Sequence, residues 1–288
     1  MTDLKYSVLI SVYSKASAGE LTEAVNSMLV QTLPTDNIVL VEDGPLTPEL
    51  DSSIAELVSR AGDIIDIIKL PVNRGLGIAL NEGLAHCRHE LVARMDSDDI
   101  SVSDRCEKQL TLLANAPDID IVSSSVVEFK TAVTEVEREA SPLPGYSIGM
   151  ITGRRNVPAS DDRIRKYSRK RSPFNHPAVM FRRSAVIEAG GYSEEYHLFE
   201  DYHLWVRMLM KGSKGANIDE ALVYMRTADD TYARRGGKQY AKDLLRFHKW
   251  LRYTGWSTRL DYITGAVPHA LVCKLPGRMR RGVYKLLR

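Results

Sequence analysis

The sequence predicts an α/β fold, a mostly parallel central sheet with helices on both faces, and three observations predict it. Short apolar runs recur at intervals of about 30 residues, which suits strand–helix units. Most of these runs are rich in Val and Ile and nearly continuous, as strands buried on both faces tend to be. Between them, apolar residues repeat at spacings of three and four, the period of an amphipathic helix. Such alternation covers a parallel sheet with helices on either side.

Taken in order, the strand runs are residues 6–13 (YSVLISVY), 37–43 (NIVLVED), 63–70 (DIIDIIKL), 90–96 (ELVARMD) and 119–125 (IDIVSSS). Leu21, Ala24, Val25, Met28 and Leu29 share one helical face after the first run. Leu76, Leu80 and Leu84 share a second face, and Cys106, Leu110 and Leu113 a third. Beyond about residue 125 the pattern weakens. Residues 153–181 are polar and basic until Ala178, Val179, Met180 and Phe181, which read as another strand. A Gly190-Gly191 turn follows, then a helix with Leu204 and Met208 inward beside Trp205 and Leu209. Residues 221–226 form a further strand. The expected organisation is one domain over 1–235, divided into 1–125 and 126–235, and a basic helical region over 236–288.

A chain of 288 residues, 44% hydrophobic and 26% charged, has ordinary globular composition. Its three cysteines, Cys87, Cys106 and Cys273, are an odd count without a CxxC pair. They fit a reducing compartment and argue against a disulfide framework or a zinc site. The first residues lack the basic and apolar regions of a signal peptide, and no run is long enough to span a bilayer. The net charge of +2 is unevenly spread. From Arg234 to Arg288 fourteen Lys and Arg face two acids, Asp243 and Asp261, leaving +12 there and −10 in the rest. A basic tail on an acidic body predicts an anionic partner surface. In residues 237–255, Tyr240, Leu244, Leu245, Phe247 or His248, and Leu251 lie along one helical face. That face either packs on the domain or lies in the plane of a membrane, continued by Trp256 and residues 274–288. Membrane contact is the expectation; nucleic acid is not, because the acidic body would repel it.

In parallel sheets, ligands bind beyond the carboxyl ends of the strands. The first strand ends in Ser11-Val12-Tyr13, the second in Glu42-Asp43-Gly44 and the fourth in Asp96-Ser97-Asp98-Asp99. An aromatic ring, an acid pair and an acid triplet thus share one edge. Asp98 or Asp99 could cap the helix that follows. Three carboxylates behind a buried strand instead favour Mg²⁺ or Mn²⁺, completed by phosphate oxygens and water. A metal held there would stabilise charge on a departing diphosphate, as glycosyl and nucleotidyl transfer both require. The stretch SVYSKASAGE after the first strand has neither GxGxxG nor GxxxxGK[ST]. This counts against dinucleotide oxidoreductases and P-loop NTPases. Nor is there the Gly-rich basic loop expected of a nucleotidyltransferase.

Six stretches carry a resemblance: VLISVYSK, SMLVQTLPTDNIVLVEDGP, NRGLGIALNEGL, ARMDSDDIS, NHPAVMFRRSAVIEAGGY and FEDYHLWVRML. Together they resemble the family 2 glycosyltransferases, which have the nucleotide-sugar-binding type A fold (GT-A), over roughly residues 6–235. VEDGPLT, NRGLG and MRTADDTYARRGG look most like the exopolysaccharide, capsule and O-antigen branch, such as the amylovoran-biosynthesis enzymes. The resemblance makes 1–125 the nucleotide-sugar half and 126–235 the acceptor half. It places Ser11, Tyr13 and Asp43 around a uracil base and Arg74 near the base or diphosphate. It puts Asp96 and Ser97 at the nucleotide sugar, Asp96 on the ribose, with Asp98 as metal ligand and Asp99 in support. Asp201 takes the place of the catalytic base, the competing role being a helix cap with Glu200 alongside. His176, Glu200, Arg234 and Arg235 fall in supporting or acceptor-side places. No QxxRW motif follows the acid pair, unlike in processive polymerases, and no histidine follows VYMR to complete the metal shell, where the resemblance leaves Asp229, Arg234 and Arg235 to serve. The implied activity is inverting, metal-dependent transfer from a UDP-sugar to a saccharide on undecaprenyl diphosphate. The expected location is peripheral, at the cytoplasmic face of a bacterial inner membrane. A silent scaffold of a polysaccharide assembly complex is the alternative from another class.

Overall fold

The computed structural model describes residues 4–196, 198–227 and 236–275. Its strands are β1 (Tyr6–Val12), β2 (Ile38–Glu42), β3 (Ile65–Lys69), β4 (Leu91–Asp96), β5 (Ile100–Ser101), β6 (Ile119–Thr131), β7 (Ile148–Arg155), β8 (Met180–Arg182) and β9 (Lys214–Arg226). They form one sheet in the order β3-β2-β1-β4-β8-β6-β9-β5, with β7 also paired to β6. The ladders β2–β3, β1–β2, β1–β4 and β6–β9 are parallel and carry most of the sheet. The short strand β8 runs antiparallel to both β4 and β6 and joins the two parallel sets.

Helices α1 (Ala18–Leu29), α2 (Pro48–Ala61), α3 (Leu76–His86) and α4 (Arg105–Asn115) alternate with the first strands. Then follow α5 (Glu135–Glu139), α6 (Asp161–Tyr167), α7 (Arg183–Glu188), α8 (Glu200–Met210) and α9 (Gly237–Tyr253). Successive residues of β1 point to opposite faces, and each face meets helices. Val8, Ile10 and Val12 pack with Leu21, Val25 and Met28 of α1 and with Leu110 of α4. Leu9, with Val39 and Val41 of β2, packs on Leu80 and Leu84 of α3 and joins the cluster that holds Trp205 of α8. Burial on both faces is why these runs are continuous rather than alternating. Helix α3 approaches so closely that a Cβ on Gly83 would lie 2.4 Å from Leu9 Cδ1 and 2.6 Å from Val41 Cγ2, so any larger residue there would displace these core side chains.

Four expectations need correction. Residues 153–181 are more than a polar stretch, because they hold the end of β7 and all of α6. Strand β7 buries only Ile148; Arg155 pairs with Glu128 at 2.5 Å, and Arg154 reaches the Asp219 carbonyl. An edge strand held by arginines leaves no apolar signature. The run at 119–125 continues to Thr131, so residue 125 lies inside β6. The strand expected at 221–226 begins at Lys214, where the polar start of β9 pairs β6 through irregular register. The strand expected at 178–181 is shifted, with a tight turn over His176–Ala178 before β8.

Most of the face of α9 foreseen in the sequence is buried, while Tyr240 and Leu245 at its margin are half-buried. Ala241, Leu244, Phe247, His248 and Leu251 pack against Tyr196, Phe199, Tyr202 and Val206. An in-plane helix with that face in lipid is therefore not what the chain forms. Residues 276–288 lie outside the described residues. Among the described residues no helix is long and apolar enough to cross a membrane.

Candidate active site

Register collects the strand ends. Ser11 of β1 lies opposite Val41 of β2 on one side and Asp96 of β4 on the other. Tyr13 follows at the same edge with 39% of its surface exposed, so its ring is open to a stacking partner. Asp43 continues β2, its N–H donating to the Val12 carbonyl at 2.8 Å. Its carboxylate is buried, and its two oxygens accept the Arg74 N–H at 2.7 Å and the Gly75 N–H at 3.0 Å. Asn73 donates to the Asp43 carbonyl at 3.1 Å. Asp43 therefore holds the NRG turn; each oxygen retains a second lone pair for a ligand N–H. Gly44, at φ +85°, allows this, because a Cβ there would sit 2.5 Å from the Asn73 nitrogen. The Arg74 side chain is about half exposed, its guanidinium 4.0 Å from Glu194.

The acid triplet does not cap a helix. Strand β5 follows it, and the residue at the cap of α4 is Asp104, whose side chain makes no capping bond. Asp96, Asp98 and Asp99 each offer a carboxylate oxygen, all within 4.8 Å of one another. Ser97 lies half-buried between them. Burial, then the charges of Asp96 and Glu20, push the Asp98 carboxyl up to about 7. Asp99 is also raised, by burial and its two neighbours. Two arginines offset part of this charge. Arg94, fully buried in β4, pairs with Asp96, while its Nε and one terminal nitrogen find no partner. Arg226, at the end of β9, donates its N–H to Asp99 Oδ1 and its Nε to the Asp98 carbonyl, both at 2.7 Å. The same guanidinium reaches Glu23 at 2.7 Å and Glu20 at 3.4 Å, and lies 4.7 Å above the Phe129 ring. Asp99 Oδ2 is buried without a partner. An orphaned oxygen in a three-carboxylate set fits a hard divalent cation, with Asp96 and Asp98 as half-buried donors beside it.

The opposite wall is the loop leading into α8. Phe199, not Asp201, is the cap residue of α8, and Glu200 and Asp201 occupy its first turn, where acids complement the helix dipole. Leu198, just before them, has φ +70°, the only positive φ among the described non-glycine residues. Glu200 Oε2 is buried without a partner, and Asp201 is half-buried. Asn81 of α3 fixes the loop by exchanging two hydrogen bonds with the Tyr192 backbone, at 2.7 and 2.8 Å. Arg207 holds its start through the Ala189 and Gly191 carbonyls. The Tyr192 hydroxyl lies 3.0 Å from His176 Nε2, and its pKa is raised by burial against the opposing charge of Arg94. Asp201, Glu200 and Asp96 also act on that hydroxyl, so it marks where the two walls meet. His176 sits beside Tyr192 and Trp205, and burial holds it neutral.

The structure thus brings Ser11, Tyr13, Asp43, Arg74 and the triplet to one edge, with Tyr192, Glu200 and Asp201 across from Asp96. His176 stands behind Tyr192. Asp229, Arg234 and Arg235 lie outside the described residues. Sequence reasoning missed Arg94, Arg226, Tyr192 and Asn81. Two signals for them were visible: an arginine inside the buried-type run ARMD, and another closing VYMR.

This arrangement has counterparts. Over 98% of this chain and 95% of the relative, the sequence is 39% identical to an Escherichia coli UDP-Gal:alpha-D-GlcNAc-diphosphoundecaprenol beta-1,3-galactosyltransferase. It is 35% identical to the amylovoran biosynthesis glycosyltransferase AmsE of Erwinia amylovora, over 87% of this chain and 88% of that one. The mannosyltransferase PcManGT from Pyrobaculum calidifontis, solved with GDP-Man and Mn²⁺, shares the fold at a TM-score of 0.63. That match covers 98% of this chain and 80% of the other at 17% identity. Residues 7–190, from β1 through the triplet to the first glycine of the Gly190-Gly191 turn, match the family described as Glycosyl transferase family 2. On that match and the two near full-length relatives, the chain belongs to glycosyltransferase family 2.

Proposed function

We propose that the chain transfers a hexose or N-acetylhexosamine from a UDP-sugar to a saccharide carried on a polyprenyl diphosphate, with inversion at the anomeric carbon. The observation that carries this reading is the near full-length similarity to a galactosyltransferase acting on a GlcNAc-diphosphoundecaprenol. UDP-galactose is accordingly the first donor to test. Tyr13 offers its exposed ring to the uracil, and Ser11 and Asp43 offer polar atoms at the same edge. Arg74 approaches the base or diphosphate, and Asp96 and Ser97 the ribose and diphosphate. Asp98, with Asp96 and Asp99, would hold Mn²⁺ or Mg²⁺. When bound, that ion supplies positive charge against the diphosphate.

The chain's own step is proton removal at Asp201. The acceptor hydroxyl oxygen forms a bond to the anomeric carbon as the carbon–oxygen bond to UDP breaks, and the hydroxyl proton passes to the Asp201 carboxylate. Attack from the face opposite the leaving group inverts the centre. Glu200, His176, Arg234 and Arg235 belong to the acceptor side in this reading. A lipid-borne acceptor places the work at the cytoplasmic face of the membrane.

The test is acceptor-dependent UDP release with a short-chain lipid analogue of GlcNAc-diphosphate. UDP-Gal, UDP-Glc and their N-acetyl forms serve as donors, and the product linkage is read by NMR. Transfer from one of them with a β linkage is expected. UDP release that ignores the acceptor, or retention of the α configuration, would overturn the reading.

A further inference from the structure

The buried face of α9 leaves a second stripe along the same helix. Lys238, Lys242, Leu245, Lys249 and Tyr253 recur at three or four residues, so they lie in one line along its length. With Tyr196, Trp250 and Lys274 this stripe lines a groove of about 780 Å³. Its surface is mostly apolar, and its cations stand around it. Arg246 is engaged, 3.5 Å from Glu195 and 5.2 Å above the Tyr196 ring. Lys238, Lys242, Lys249 and Lys274 have no acidic partner among the described residues.

Isolated unpaired lysines are ordinary on a surface. Four around one apolar groove repel each other, and they suit an amphiphile with a negative head. The chain beyond α9 adds to this. Tyr253, Leu260, Ile263 and Leu271 are 81%, 68%, 59% and 60% exposed within one short segment. Exposed apolar side chains beside lysines and aromatic rings are what an interfacial surface presents to lipid. Residues 276–288 are a poor occupant, because they carry five Lys and Arg and no acid.

We propose that the α9 groove and the apolar segment beside it seat the protein on a bilayer bearing anionic phospholipids. The proposal rests on the lipid-linked acceptor for its purpose, though not for its geometry. Tyr196, which forms one wall of the groove, stands in the loop that ends at Glu200 and Asp201. Docking through this groove would hold that loop toward the surface from which a lipid-borne sugar arrives.

The experiment is sedimentation of the full chain with vesicles of phosphatidylcholine alone or with phosphatidylglycerol. It compares the wild type with a triple Lys238→Gln, Lys242→Gln, Lys249→Gln variant and with a Tyr253→Ser, Leu271→Ser variant. Each lysine near an anionic surface strengthens binding roughly fivefold, so the triple variant should bind about a hundredfold more weakly. Added salt should weaken the wild type in the same direction. The serine variant should lose binding that salt does not remove. Melting temperature and UDP release with the water-soluble acceptor analogue should be unchanged in both variants. Equal wild-type binding to neutral and anionic vesicles, unchanged binding of the triple variant, or tighter binding to duplex DNA than to vesicles would overturn the proposal. Vesicle binding without transfer from any UDP-sugar would leave the docking surface standing and remove the proposed activity instead.

Discussion

At Arg226 one side chain joins three parts of the chain: α1 through Glu20 and Glu23, the triplet through the Asp98 carbonyl, and the β6 residues Phe129 and Thr131; its backbone N–H holds Asp99 as well. Nothing in the short range of sequence announces this, because its partners lie up to 203 residues away. The triplet itself was legible, since three aspartates behind a buried run are a local pattern. Its counter-charges were not, since Arg94 and Arg226 look like ordinary strand residues until the sheet is assembled. Replacing Arg226 by Met keeps the backbone bond to Asp99 but should leave Glu20, Glu23 and Asp98 without their cation. A fully buried pair broken in this way costs about 3–5 kcal/mol and an exposed one about 0–1, so with these half-buried glutamates a fall on the order of 1–3 kcal/mol in unfolding free energy is expected in denaturant titrations. Unchanged stability would show the contacts to be incidental. Asp201→Asn tests the facing wall. A positioned base is worth about 10² to 10⁴ in rate, so transfer should fall by that order while UDP affinity holds. If Asp201 served only the helix dipole, stability would drop by about 0.3–1 kcal/mol with near-normal turnover. Turnover, calorimetric UDP binding and melting temperature on one variant separate these roles.

Among the elements, α9 shows what a period alone can and cannot tell. The amphipathic spacing correctly located an apolar face, yet a face that suits lipid also suits the aromatic flank of α8. Only the assembled tertiary structure decides between them. Strands β7 and β9 were hidden for a related reason, since arginine ion pairs and irregular register stand in for apolar side chains. The α8–α9 contact also has a pH signature. His203, its ring 4.4 Å from that of Trp250, is held down at about 4 by burial and then by Arg207. His248 is likewise lowered to about 4, by burial and then by His269. An unfolded histidine titrates near 6.5, so the unfolded chain binds more protons over this interval. Their neutral burial is therefore fully stabilising above about pH 6.5 and is lost as pH falls toward 4. Each contributes up to about 3 kcal/mol across that range. Buried His176 adds to this fall, while the raised carboxyls of Asp98 and Asp99 oppose it, so the two histidines are read as a difference between proteins. Replacing both by Gln should make unfolding free energy fall less between pH 6.5 and 5 than in the wild type, and the same pH dependence in both proteins would contradict the assignment.

For the whole molecule, the parallel β1–β4 half was readable because each strand buries both faces and each helix repeats its period. The half beyond β6 was not, because short, antiparallel and edge strands carry few apolar residues. The acid triplet lies in the first half and Arg226 of the second half holds it, so its geometry is a property of the entire fold. UDP should bind more tightly with Mn²⁺ or Mg²⁺ present, chelation should abolish transfer, and Asp98→Ala should erase the metal's effect on UDP affinity in calorimetry. Equal UDP affinity with and without metal in the wild type would refute that set. Strand β6 has a last consequence, for recombination between relatives. It pairs with β7, β8 and β9, so a hybrid joined at residue 125 would divide one strand between two parents. A junction at 116–118, before β6 begins, keeps all of those ladders in one parent. It also parts Arg226 from Glu20 and Glu23, so hybrids that exchange acceptor halves should fold only when the donor of residues 1–115 brings two acids at those positions of α1.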